Sequence, residues 1–339
     1  MKTLIKNGLL IDPANQVQAY LNLILEDGKV VAVTEEEPEA DRVIDATGKV
    51  VAPGFIDIHM HEDPVKDGKI EFCIFDAMLR MGVTTAVGGN CGINVYDPVK
   101  YLDMVEKDGA PVNVMLFAGH QYFREAAGAL DKYAPVTKEQ QEHMKKGLEK
   151  ALEAGCVGIS YGLRYVPGTG RDEFLDTASC CEKEHRMISA HVRDDEDRVF
   201  GAVAEVAEAG KLYNIPVQVS HIGSMAGFGQ MKQLLRQVDG YRMNGIDVAC
   251  DCYPYFAFST RIGATTYDDG WLERYHCDYS ACQLTEGKYK GQRCTPETFA
   301  EMRRDFPECL TVCYVMDEND IRMAFADPGV MVGSDGLID

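Results

Sequence analysis

No run of about 18 uncharged apolar residues occurs anywhere in the sequence, which excludes a transmembrane helix. The N-terminus, MKTLIKNGLL, turns polar before the apolar stretch of a secretory signal develops, so the expectation is a cytoplasmic protein. Basic charge is scarce: 34 Lys and Arg stand against 54 Asp and Glu, a formal net charge of -20. Such a surface repels nucleic acid and anionic membranes and leaves a small molecule as the expected partner. CxxC pairs are missing too. The twelve cysteines are scattered, as in Cys180-Cys181, Cys250-x-Cys252 and Cys309-x3-Cys313, which argues against a disulfide scaffold and for buried thiols in a reducing compartment. What is present, 46% hydrophobic and 26% charged residues over 339 positions, suits one large globular domain plus a small one.

Residues 3–50 read as short strands, among them two alternating runs joined at Asp27-Gly28, a hairpin signal. We assign 1–52 to a small β domain. From residue 53 to 339 the texture changes, because apolar strand-like runs alternate with segments of helical period. Eight runs stand out, at 51–60, 83–91, 111–119, 156–162, 187–192, 216–221, 246–255 and 330–335. Between them lie amphipathic helices such as 138–154, with Met144, Leu148 and Leu152 four apart, and 195–213, with Val199, Val203 and Val206 on one face. Near-continuous apolar strands separated by helices imply a parallel sheet, and eight repeats favour a closed (β/α)8 barrel. One long interruption, at about 256–310, reads as an inserted lid over an active site.

In such a barrel the chemistry sits at the C-terminal ends of the strands, and reactive side chains are expected there. The ends carry His59 and His61, Cys91, His120, His191, His221, Asp251 with Tyr253, and Asp335. Five of the eight histidines fall there; His143, His185 and His276 read as solvated or structural. Two residues apart on a strand, His59 and His61 point to one face. Cys91 differs from the other cysteines, since Gly88-Gly89-Asn90 before it and Gly92 after it form a bend that presents the sulfur at the strand mouth. Thiolate, imidazole and carboxylate together suit zinc. Zinc with three protein ligands keeps a position open for water, and Asp335 could take the proton from that water and return it to the leaving nitrogen.

The motifs GFIDIHMHED (54–63), VTTAVGGNCGI (83–93), GISYGLRYVPG (158–168), SAHVRD (189–194), VSHIG (219–223), DCYPYFAFST (251–260) and VGSDG (332–336) resemble those of the amidohydrolase superfamily, and within it the N-acyl-D-amino-acid deacylases (D-aminoacylases). The resemblance implies tightly held zinc on Cys91, His191 and His221, and a second, weaker site formed by His59, His61, Cys91 and Asp335. It implies substrate contacts from Tyr165, in the GxxYxP-like loop, and from Tyr253 and Ser259, in the YPYxxxS-like segment. His120 is a further candidate for orienting substrate. Where the family commonly has a Lys two residues after the strand-six His, this sequence has Gly223, so Arg164 and Arg193 become candidates for a carboxylate contact on chemistry alone. Hydantoinase-like relatives bridge two metals with a carbamylated strand-four lysine; CVGISYG has none, and the nearest, Lys150 and Lys183, fall on expected helices.

Three readings stay open. The first is a zinc hydrolase of N-acyl-D-amino acids. The second is an amidohydrolase for another linear or cyclic amide, dihydropyrimidinase-like, and the third a non-catalytic metal-binding barrel. Only four residues follow Asp335, whereas the resembled family continues further, which reads as a truncated barrel or one that borrows its cover in a homo-oligomer.

Overall fold

The structure is a computed structural model that describes residues 1–337; Ile338 and Asp339 lie outside the described residues. The chain divides into two compact units, Met1–Phe55 and Ile56–Asp339. In the small unit, Asp27 (φ 49°) and Gly28 (φ 77°) both take the left-handed conformation that a two-residue hairpin demands. They join Asn22–Glu26 to Lys29–Thr34, with Glu26 opposite Lys29. With Lys2–Lys6 and Arg42–Asp45 these make a four-stranded sheet, and a three-stranded one consists of Val17–Tyr20, Leu9–Asp12 and Val50–Val51. Alternation decides which side chains enter the core: Leu4, Leu10 and Ile24 are buried.

The large unit is an eight-stranded parallel barrel. In chain order its strands are Phe55–Asp57, Val83–Gly88, Asn113–Gly119, Gly158–Gly162, Met187–His191, Val217–Val219, Val248–Cys252 and Val330–Val332, each beside its sequence neighbour. The last and first strands meet beyond their ends: Asp335 N–H donates to His59 O and His61 N–H to Gly336 O, both at 2.8 Å. Asp57 adds a carboxylate to this seam, accepting from Ser334 N–H at 3.0 Å and His59 N–H at 3.1 Å. Outside it, Phe55, Ile56 and Val332 are exposed.

Helices cover the rest of the barrel as the periodicity predicts. Lys138–Glu153 starts in a capping box between Thr137 and Gln140 and buries Met144, Leu148, Ala151 and Leu152. Val199–Tyr213 follows a short turn at Glu196–Arg198 and buries Val199, Val203 and Val206. Among the described residues no helix is long and apolar enough to cross a membrane. The insertion is more ordered and slightly longer than its sequence suggests. Its strands Phe258–Arg261, Leu310–Cys313 and Cys282–Leu284 form an antiparallel sheet with Leu310–Cys313 in the middle, so it ends past residue 310. Trp271 stacks on Phe299 at 5.2 Å within this subdomain, and Glu318–Ala326 then leads to the eighth strand.

Candidate metal centre

The strands stop short of the apolar runs, and the chain turns inward where they stop. His59 and His61 lie beyond Asp57, Cys91 sits in a tight turn at Asn90–Gly92, and His221 caps a short helix; only His191 belongs to its strand. Three of these turning residues have positive φ: Cys91 at 55°, His221 at 33° and Asp335 at 52°. Such backbone costs of order 1–3 kcal/mol per residue and persists where surroundings over-determine it, typically at functional sites.

The turns bring six side chains together. Ligand atoms of His59, His61, Cys91 and Asp335 lie within 4.8 Å of one another, as do those of Cys91, His191 and His221. Cys91 belongs to both sets: its Sγ is 3.5 Å from His59 Nε2, 3.5 Å from His221 Nε2 and 3.9 Å from His191 Nδ1. Asp335 Oδ1 lies 3.4 Å from Nε2 of both His59 and His61. Among the described residues, the other ring nitrogen of His191, Nε2, is buried with no hydrogen-bond partner.

The clustered donors set one another's charge. Burial raises the Cys91 thiol, but the charges of His59 and His221 outweigh it and hold it well below the ordinary thiol value. Burial likewise acts against ionised Asp335, and His59 and His61 overcome it, keeping the carboxyl well below its usual range. Against burial, the Asp335 hydrogen bond pushes His61 up to about 9. Burial and the His221 charge lower His191, favouring the neutral ring that a metal requires.

Two residues that the sequence did not assign orient these rings. Asp251, on strand seven, places Oδ1 3.0 Å from His59 Nδ1 and 2.8 Å from the His221 backbone N–H, while Gln218 Nε2 donates to Oδ2. Asp251 thereby favours a proton on His59 Nδ1 and turns Nε2 toward Cys91 and Asp335. Ser224 Oγ stands 3.0 Å from His221 Nδ1 and orients that ring. The YP segment after Asp251 drew attention to Tyr253; the carboxylate's bridging of two strands has no signature in sequence.

Of the substrate candidates, Tyr165, Tyr253 and Ser259 line one cleft with His191, His221 and Asp335, and the insertion adds Phe258, Thr260 and Tyr275 to its wall. The Tyr165 ring is 4.4 Å from that of His191. Burial, reinforced by the charges of Cys91 and Asp335 around Tyr165 and of Asp335 beside Tyr253, raises both phenols well above their ordinary value, so both stay donors. Three further candidates are not among the residues that line this cleft. His120 is buried with its Nε2 3.0 Å from Glu173 Oε1 and its ring against Tyr161, outside the cleft lining, because it opens helix His120–Ala126. Arg193 forks onto Glu205 at 2.8 and 2.9 Å on the outer side of the barrel. Arg164 donates from one guanidinium nitrogen to Asp194 at 3.1 Å. Of the two lysines weighed for strand four, Lys150 is helical and Lys183 lies in a turn; the strand itself presents Ser160, whose hydroxyl donates to Gly89 O.

Residues 42–163 match the model of an amidohydrolase family. The chain is 30% identical to an N-acyl-D-glutamate deacylase of Alcaligenes xylosoxydans xylosoxydans, over 98% of its own length and 73% of that enzyme. It belongs to the D-aminoacylase family of amidohydrolases. A D-aminoacylase crystal structure aligns with it at a TM-score of 0.85 and 25% identity, over 98% of this chain and 75% of that one. The N-acyl-D-glutamate deacylase of Bordetella bronchiseptica aligns at 0.84 and 29% identity with the same coverage, in a complex with zinc and a phosphonate that mimics the tetrahedral intermediate. A thiolate, imidazoles and one carboxylate fit the same ion in this D-aminoacylase relative, with Cys91, His191 and His221 as one ligand set and His59, His61, Cys91 and Asp335 as the other.

Proposed function

We propose that the chain hydrolyses the amide bond of N-acyl-D-amino acids, releasing a carboxylate and a free D-amino acid, with zinc as its cofactor. The observation that carries the proposal is the double cluster centred on Cys91, opening onto a cleft lined by two neutral tyrosine hydroxyls and one ionised aspartate. Zinc held by Cys91, His191 and His221 supplies Lewis acidity toward the scissile carbonyl and makes water a nucleophile near neutral pH.

The chain's own residues do the rest. Asp335 is ionised and shares the cleft, with His59 and His61 both approaching its Oδ1, so it can take a proton from attacking water and pass it to the departing nitrogen. Tyr165, from the loop after strand four, and Tyr253, from strand seven's end, approach the centre from two sides and can donate to substrate oxygens. Ser259 adds a hydroxyl from the insertion. Cyclic-amide hydrolysis is the weaker reading because strand four, GISYG, offers no lysine to bridge metals. We place the enzyme in the cytoplasm, where a thiolate ligand stays reduced. Assay of the zinc-loaded chain with paired N-acetyl-D- and N-acetyl-L-amino acids tests the proposal: D-selective release of acetate is expected, and turnover of 5,6-dihydrouracil with none of the linear amides would overturn it.

A further inference from the structure

Directly after His61 comes Glu62, which is 2% exposed and takes no part in either ligand set. Its two carboxylate oxygens accept three hydrogen bonds from the loop that carries Cys91. Oε2 receives the Gly89 N–H at 2.7 Å, and Oε1 receives the Val95 N–H at 3.0 Å and Asn94 Nδ2 at 3.1 Å. The donors therefore lie on both sides of Cys91, two residues before it and three and four after. Asn94 extends the contact to strand three, donating to Phe117 O and accepting from Gly119 N–H.

The loop needs such a clamp. Gly89 (φ 73°), Cys91 (φ 55°) and Gly92 (φ 79°) are all left-handed within four residues. A Cβ on Gly89 would stand 2.4 Å from Phe117 O, and one on Gly92 2.8 Å from Gly162 N, so the turn is pressed against strands three and four. An unclamped chain with a non-glycine residue in this conformation would relax toward ordinary φ and swing the thiol away. All three partners of Glu62 are donors, which explains a carboxylate here: the NH2 of an amide would oppose an N–H on one side. Hydrogen bonds to an ionised acceptor are about twice as strong as neutral ones, which offsets the burial of the charge.

We propose that Glu62 is a positioning residue for Cys91, fixing the sulfur where it can serve both ligand sets. The HMHED run thus couples two functions: its histidines ligate, and its glutamate, reaching across to the next strand end, places the shared thiolate. The inference rests on the metal assignment above. Its test uses the full chain with Co2+ in place of zinc, reading the thiolate-to-cobalt absorption and the affinity by chelator competition. Glu62→Gln is expected to weaken binding ten- to a hundredfold, the usual scale for a residue behind a ligand, and to diminish or shift the thiolate band. Glu62→Asp, which keeps the charge but shortens the reach, is expected to follow the Gln variant; an Asp variant matching the parent would overturn positioning in favour of plain charge. Hydrogen exchange at Gly89 and Val95 reads the clamp with no metal present, and both amides are expected to exchange about tenfold faster in Glu62→Gln, the scale of one lost hydrogen bond. Unchanged exchange there overturns the proposal. A parent that shows no thiolate band would instead sink the metal assignment, and the exchange rates would still decide the role of Glu62.

Discussion

Cys91 and Cys250 are both buried, yet they are chemically opposite. Cys250, within strand seven, has its thiol pushed up to about 12 by burial, and Cys156 and Cys252 follow it. Cys91 stands past the end of strand two, where the charges of His59 and His221 more than cancel the same burial. Desolvation alone makes a cysteine an inert apolar filler; the strand's body provides that and nothing else. At the strand's mouth, turns with positive φ aim several strands' side chains at one point, and the low dielectric that silences Cys250 strengthens the imidazole–thiolate attraction at Cys91.

The largest test of that contrast replaces each sulfur in turn. Cys91→Ala is expected to lose zinc and all measurable turnover, whereas Cys250→Ala keeps both and loses about 1 kcal/mol of stability to a small cavity. Elemental analysis beside denaturant unfolding reads the two effects. Stoichiometric zinc in the Cys91 variant would break the comparison. His59→Ala sharpens it, because the Cys91, His191 and His221 set does not include His59 and should hold its ion.

Next in size is Asp335→Asn. The amide is isosteric and retains neutral hydrogen bonds to His59 and His61, but it cannot accept the proton. Turnover is expected to fall at least about a hundredfold with fold and tight zinc intact, the scale of a positioned general acid/base. Comparable steady-state rates for variant and parent would remove Asp335 from the proton path. A smaller loss is expected of Asp251→Asn. Asp251 accepts from Gln218 and the His221 backbone and faces His59 Nδ1, so an amide there must oppose at least one donor. Weakening of the His59-containing site by ten- to a hundredfold, measured by zinc titration, is the expected result.

How much of this was legible beforehand follows the same division. Strand bodies announce themselves by apolar runs, so the barrel and its order could be read from eight of them, and the glycines around Cys91 singled it out among twelve cysteines. HxH spacing placed His59 and His61 on one face. What could not be read depends on partners distant in sequence. Asp251 is an orienting group because strands six and one bring His221 and His59 to it, a separation of 192 residues in the case of His59. His120 occupies a strand end like the others, but a helix begins at that residue and turns its ring toward Glu173. The pairing of Phe258–Arg261 with Leu310–Cys313 likewise spans some fifty residues, beyond what local alternation can signal.

The smallest expected effect belongs to Arg193, and it separates mouth from flank most finely. Arg193 lies two residues past His191, so sequence proximity alone would give it a part in the chemistry. Its guanidinium instead grips both Glu205 oxygens from helix Val199–Tyr213, and both side chains retain partial exposure. An ion pair reached by water contributes about 0–1 kcal/mol. Arg193→Ala should therefore lower stability by no more than that and leave kcat, KM and zinc content within about twofold of the parent. A selective rise in KM for the carboxylate-bearing substrate, with unfolding unchanged, would show that Arg193 releases Glu205 and turns inward when substrate binds. The dividing line between strand mouth and barrel flank would then run one helix further out, and the acid-binding contact left open by Gly223 would have its residue.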